Sequence, residues 1–265
     1  MKSILAAATL IALGTVSASA ADMAARPYTK APAMAPMWDW SGFYIGGNVG
    51  YGISRSPSTN SLVAPFTPPL SVLASSDRLT ADGVIGGGQI GWNKMFAPNW
   101  LFGIEADIQA ADQKGSSVIS GAFFGPPAAT ISAETRLNWF GTVRGRLGWT
   151  ATPDTLLYVT GGYAYGETEQ RNFSSIPENG VPFIAGSSVK SVKGGWTVGG
   201  GIETRLWNSN WTAKAEYLYM DLGTQGTSNF VQVAGAAGLS QVSNSEFKDH
   251  IVRVGVNYKL GNWAY

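Results

Sequence analysis

Thr135-Arg-Leu-Asn-Trp-Phe-Gly-Thr-Val-Arg-Gly-Arg-Leu-Gly-Trp149 is the stretch that decides the fold. Leu137, Trp139, Val143, Leu147 and Trp149 recur at period two, and Arg136, Asn138, Arg144 and Arg146 fall between them. Side chains alternate across a strand, so this segment reads as a strand with an apolar face and a charged one. It is also longer than the roughly 9–11 residues with which a tilted strand crosses a bilayer.

Working outward, the same pattern recurs in seven further segments, at 42–53, 82–96, 100–110, 156–166, 192–207, 211–221 and 247–260. Segment 100–110 sets Phe102, Ile104 and Ile108 against Glu105, Asp107 and Gln109, and segment 192–207 sets Trp196, Val198 and Ile202 against Glu203 and Arg205. In 211–221, Lys214 and Glu216 oppose Ala213, Ala215, Tyr217 and Tyr219. There Leu218 and Met220 interrupt the alternation, which predicts a bulge or an early end. In 247–260, Arg253 and Lys259 oppose Val252, Val254, Val256 and Tyr258.

The connections alternate as regularly as the faces. After the second, fourth and sixth segments they are tight turns carrying Pro98-Asn99, Pro153-Asp154 and Asn208-Ser209-Asn210. After the odd segments they run to roughly 20–25 Ser-, Gly- and Pro-rich residues, unusual in a compact soluble domain but expected of an outer-membrane barrel with short periplasmic turns and long external loops. Segment starts near 43, 101, 157 and 212 repeat one hairpin at a time. The fold class predicted is all-β: an eight-stranded antiparallel transmembrane β-barrel.

Composition narrows what such a chain can do. Of 265 residues only 13% are charged, 18 Lys+Arg against 17 Asp+Glu, so no nucleic acid is expected as a partner. Zero Cys and a single His remove thiolate chemistry and Cys-containing zinc sites. Gly86–Gly88 and Gly199–Gly201 are not followed by helix-forming sequence and read as strand positions that need space, not phosphate loops. No cofactor and no metal are expected.

Residues 1–20 read as a cleaved signal peptide: Lys2, an apolar run from Ile4 to Val16, and Ala18-Ser19-Ala20 before the cut. Loss of Lys2 takes the basic count from 18 to 17, matching the 17 acids. Residues 21–39, with Pro27, Pro32 and Pro36, read as a flexible periplasmic linker, and 40–265 as the barrel. The predicted address is the bacterial outer membrane.

In a barrel of eight strands the interior is just wide enough to be filled by side chains. Glu105, Asp107, Glu203 and Glu216 are therefore predicted to share the lumen with Arg136, Arg144, Arg146, Arg205, Lys214, Arg253 and Lys259, as a two-signed plug in which glycines make room for the long basic side chains. Trp92, Trp100, Trp149, Trp207 and Trp211 flank the short turns and predict an interfacial aromatic girdle against outer-membrane lipid.

The sequence resembles the small outer-membrane β-barrel proteins of alphaproteobacteria, the porin-family or outer-membrane immunogenic proteins, similar in fold to the OmpA transmembrane domain. The resemblance is carried by Trp40-Ser-Gly-Phe-Tyr-Ile-Gly-Gly-Asn-Val-Gly-Tyr-Gly52, by Leu156-Leu-Tyr-Val-Thr-Gly-Gly-Tyr-Ala-Tyr-Gly166 and above all by Lys214-Ala-Glu-Tyr-Leu-Tyr-Met-Asp-Leu-Gly223. It implies that Arg253, Gly255, Tyr258 and Leu260 form the signal read by the outer-membrane insertion machinery, although the chain continues Gly-Asn-Trp-Ala-Tyr265 where relatives commonly stop at an aromatic.

For function, the reading is a structural surface barrel, not an enzyme, with passage of small solutes as a secondary property. The alternatives are a haemin receptor or adhesin binding an external ligand through the loops, with His250 the one imidazole, and a lipid-modifying enzyme using Ser245, Glu246 and His250.

Overall fold

The computed structural model describes residues 38–261 apart from 65–69, 122–128, 179–180 and 232–238; within some strand ends only the backbone is described. The signal peptide and residues 21–37 of the linker lie outside the described residues. Eight strands follow in order: β1 (Gly42–Ala64), β2 (Leu70–Ala97), β3 (Trp100–Gly121), β4 (Ala129–Thr152), β5 (Thr155–Glu178), β6 (Val181–Arg205), β7 (Trp211–Val231) and β8 (Leu239–Lys259). Each pairs antiparallel with its sequence neighbour, and β1 pairs with β8, closing the barrel and leaving no edge within the membrane.

The outward face is apolar along the lower half of every strand, with Phe43, Ile45 and Val49 on β1, Phe102, Ile104 and Ile108 on β3, and Val252, Val254 and Val256 on β8 all exposed. In lipid this inverted pattern is the stable one, because the bilayer replaces a protein core outside the wall.

The strands run 21 to 28 residues, about twice what the bilayer needs. The long external loops predicted from sequence are thus mostly strand: β1–β2, β3–β4, β5–β6 and β7–β8 continue outward as paired hairpins, to Ala64↔Leu70 and Glu178↔Val181 in the first and third. Beyond the membrane the ribbons are mostly polar on both faces, with Gln170, Asn172 and Ser174 of β5 buried and Ser116, Ser188 and Lys190 in water. Backbone pairing sustains them, and no apolar alternation is required of the sequence.

Two bulges reset which face a side chain takes. Between Leu137 and Trp139 of β4 the register against β5 shifts by one, so Leu137 and Phe140 both point inward. Between Asp221 and Thr224 of β7 the register against β8 slips. Before that slip Leu218 and Met220 are buried inside the barrel, so the strand neither bulges nor ends at the apolar pair: its interior face simply turns apolar there.

The lumen is filled in three layers. At the periplasmic end Trp40, Leu101, Leu156 and Tyr158 pack together with Trp38 and Met95. Toward the outside, Ile85, Leu137, Phe140, Ala164, Leu218, Met220, Leu222, Phe247 and Ile251 form a second apolar cluster. A charged layer lies between the two, and one further buried carboxylate, Asp249, sits beside the outer cluster, where Gln113 Nε2 donates to it at 2.8 Å.

Candidate functional site: the sealed lumen

Eight of the predicted lumenal charges meet in the middle layer, none more than 6% exposed. Glu105 on β3 is the hub. It pairs with Arg144 Nη2 and accepts from Lys214 Nζ at 3.2 and 3.3 Å, from Arg146 Nη1 at 3.5 Å and from the Tyr44 hydroxyl at 2.7 Å. Arg144 also reaches Asp107 Oδ2 at 2.9 Å and Glu216 Oε1 at 3.1 Å. Arg253 on β8 bonds Glu216 Oε2 through Nε at 2.6 Å and Asp107 Oδ2 through Nη2 at 3.1 Å. Arg146 closes the lattice with Glu203 Oε2 at 2.7 Å and stacks over the Tyr158 ring at 3.9 Å.

Neutral donors add to the partners of the carboxylates, and among the lattice carboxylate oxygens Asp107 Oδ1 has none. Thr142 donates to Asp107 at 2.8 Å, Tyr158 to Glu216 at 3.1 Å, and Thr212 and Asn257 both donate to Glu203 Oε1, at 2.6 and 2.8 Å. Four cations face four carboxylates, so the layer carries no net charge. A buried charge is tolerable only when paired and hydrogen-bonded, which this lattice arranges across the whole bore.

The inward glycines make room for tyrosine, asparagine and glutamine side chains as well as for arginine, a Cβ on Gly50 lying 2.6 Å from Arg253 Cβ. A Cβ on Gly91 would lie 2.3 Å from the Tyr44 ring, one on Gly201 2.7 Å from the Tyr158 hydroxyl, and one on Gly103 2.2 Å from Asn93. The longer cations span the bore, where space is available.

Three predicted lumenal residues lie elsewhere. Arg136 points outward because the β4 bulge shifts its face, and it pairs with Glu134 at 2.6 Å on the outer hairpin. Arg205 and Lys259 sit at the periplasmic mouth, below the charged layer, each over the Trp38 ring, at 4.1 and 4.6 Å. Arg205 also donates to the turn carbonyls of Ser209 and Asn208, and Lys259 to the Asp39 carbonyl. Trp38 and Asp39, assigned by sequence to the linker, are thereby held at the barrel, and Trp40 Nε1 donates to Pro153 O at 3.2 Å.

Trp100, Trp149 and Trp211 face outward beside the short turns, Trp92 is partly covered, and Trp207 projects fully from a turn where it and Asn208 take left-handed backbone. A second aromatic band was missed. Trp139, Tyr163 and Tyr165 form one ring cluster, and Trp196, Tyr219, His250 and Tyr217 another, on the outward face farther up the wall. From Trp211 to Tyr219 is about 27 Å along the strand, or about 20 Å along the normal at a tilt near 40°, close to the ~25 Å apolar band of such barrels. The signal was an aromatic eight to eleven residues up the strand from three of the turn-side tryptophans: Tyr219 from Trp211, Trp139 from Trp149 and Trp196 from Trp207.

His250 belongs to this outer band, its Nδ1 2.7 Å from the Tyr217 hydroxyl. Glu246 is tied to Lys248 at 2.5 Å and lies about 13 Å along β8 from His250, so an acid–imidazole pair is not assembled there. The side chain of Ser245 lies outside the described residues.

Of the residues expected to form the insertion signal, Arg253 is in the lattice, Gly255 packs where a Cβ would lie 2.6 Å from the Gly47 carbonyl, and Tyr258 stacks on Trp211 at 5.0 Å. Leu260 N–H donates to Phe43 O at 2.9 Å, joining the end of β8 to β1.

A closed eight-stranded wall, apolar outside between two aromatic bands and polar within, defines a small outer-membrane β-barrel. The chain belongs to the family described as "Outer membrane protein beta-barrel domain", which matches residues 7–259. It is 36% identical over 270 residues to the 31 kDa outer-membrane immunogenic protein of Brucella melitensis biotype 1, covering 98% of this chain and 100% of that protein. It is 29% identical over 191 residues to the 22 kDa outer membrane protein of Rhizobium leguminosarum bv. viciae, covering 70% of this chain and 66% of that one. Among solved structures it is similar to the outer membrane protein OprG from Pseudomonas aeruginosa, with 14% identity, 83% of this chain and 97% of that one covered, and a TM-score of 0.45.

Proposed function

We propose that the protein is a non-conducting surface barrel: a wall held in outer-membrane lipid by its two aromatic bands, with four paired hairpins standing beyond the membrane as the contact surface. The observation that carries this is the three-layer filling of the lumen. A solute crossing it must displace an apolar cluster, break a neutral lattice of four cations and four carboxylates, and then displace a second apolar cluster. Catalysis is no part of the proposal. The insertion machinery is proposed to read the β8 terminus through Arg253, Gly255, Tyr258 and Leu260.

Single-channel recording of the mature chain, residues 21–265, in a planar bilayer tests this. Silence from protein shown to have inserted is the expected result. Steady large steps overturn the sealed-lumen reading and make the protein a diffusion pore. The adhesin alternative is favoured over the haemin receptor by the length of the outer hairpins and by the placement of His250 in the aromatic band with its Nδ1 engaged.

A further inference from the structure

The seam between β6 and β7 has the shortest paired span in the barrel. These strands pair only from Arg205↔Thr212 up to Trp196↔Asp221. Both continue outward, β6 remaining paired with β5 as far as Val181 and β7 with β8 as far as Val231. From Gly195 to Val181, therefore, the β6 edge turned toward β7 has no strand partner among the described residues.

The cause is local. Pairing stops where β7 slips register between Asp221 and Thr224. There Gly223 adopts φ +76, its N–H donates to Asp221 Oδ1 at 2.8 Å, and nothing lies within 4 Å of where its Cβ would be. A bulge with a left-handed glycine bends its strand and ends pairing, so β7 leaves β6 at this point. The opposite seam also stops pairing early, at Asp82↔Lys114. Each seam is still in contact one residue beyond its last pair, a Cβ on Gly115 lying 2.6 Å from the Thr80 carbonyl and one on Gly195 1.9 Å from the Asp221 carbonyl. The β6–β7 seam has the shorter paired span of the two.

Unpaired N–H and C=O groups at strand spacing are reciprocated by another extended backbone, and proteins usually blunt such an edge. Here the edge carries Lys190 and Lys193 and no carboxylate from Val181 to Gly195; Lys190 lies opposite Glu169 of β5 and feels its charge, without an ion pair to it among the described residues. On neighbouring β5, Glu169 is bonded by Arg171 and Ser188, and Glu167 accepts from Asn138. We propose that the released β6 edge accepts an extended, acidic polypeptide segment of another molecule as an additional strand. This goes beyond the sealed-barrel reading and does not depend on whether the lumen conducts.

The test uses the refolded mature chain in micelles and a fluorescent peptide of about twelve residues, alternating valine and glutamate, long enough to cover the free edge. A matched peptide N-methylated at every second nitrogen keeps the charge but cannot pair. The expected result is saturable binding of the first peptide, at least about tenfold weaker binding of the second, and a comparable loss for the Lys190→Glu, Lys193→Glu double variant. Ser191→Pro and Val192→Pro separate the two edges of β6, since consecutive residues bond to opposite sides. One should lose binding and the other keep it, with heat-modifiable gel migration reporting that each has folded. Deleting Gly223, which removes the bulge, should abolish binding in a folded barrel. No binding of the first peptide, equal binding of both peptides, or self-association of barrels through this edge in place of peptide capture overturns the proposal.

Discussion

Replacing Glu105 by glutamine removes one negative charge and little volume, which makes it a direct probe of the lattice. Glu105 touches Arg144, Arg146, Lys214 and the Tyr44 hydroxyl, and Arg253 lies 3.6 Å away. The variant leaves four buried cations facing three carboxylates. Removing one partner of a buried pair costs about 3–5 kcal/mol, most of it for the charge left uncompensated. With a guanidinium slope of about 4 kcal/mol/M, the unfolding midpoint of the refolded barrel should fall by about 1 M. Lys214 pairs only with Glu105 among the described residues, so Lys214→Met leaves the opposite imbalance and the double variant restores neutrality. The double variant should therefore lose clearly less than the sum of the two single changes. Midpoints that do not move, or losses that simply add, refute the reasoning.

Phe140→Ala, at a fully buried position of the outer apolar cluster, should cost about 3–5 kcal/mol by the same unfolding measurement. Trp38→Ala removes a ring that meets two cations; it should lower stability by about 1–2 kcal/mol and increase proteolysis at the periplasmic end of refolded barrels. Beyond the outer aromatic band, hydrogen bonds from Arg171 and then Ser188 hold the Glu169 carboxyl down at about 2. A depressed carboxylate contributes stability that is complete above its ordinary range and is lost as pH falls toward about 2. Carboxyl NMR of labelled protein should show that low midpoint, moving up toward the usual range in Arg171→Gln.

The membrane half of each strand was legible because burial was written into it. On β3, lipid on one side and a filled lumen on the other force Ile104 and Glu105 onto opposite faces, and period two records it. The outer halves carried no such signal, since Ser116 and Ser120 or Ser188 and Lys190 face water whichever way they point. Arg136 was misplaced for a related reason: one extra residue at the β4 bulge reverses every face beyond it, and nothing in Leu-Asn-Trp announces it. The outer apolar cluster was readable only as broken alternation at Leu218 and Met220. Trp38 was lost inside a proline-rich context, because its partners Arg205 and Lys259 are far away in sequence.

The lattice also bears on the order in which the chain can become a membrane protein. Strands β1 to β7 carry all four carboxylates of the lattice but only three of its cations; the fourth, Arg253, arrives on β8, the last strand to be synthesised, which also brings the buried Asp249 to the layer outside the lattice. Until β8 docks, Asp107 and Glu216 lack the guanidinium from which both accept, which leaves the lattice one positive charge short. The same strand joins β1 and removes the open edge. A truncated or misregistered chain thus fails two checks at once, one of charge and one of backbone pairing, so that the wall and its contents are completed in a single event.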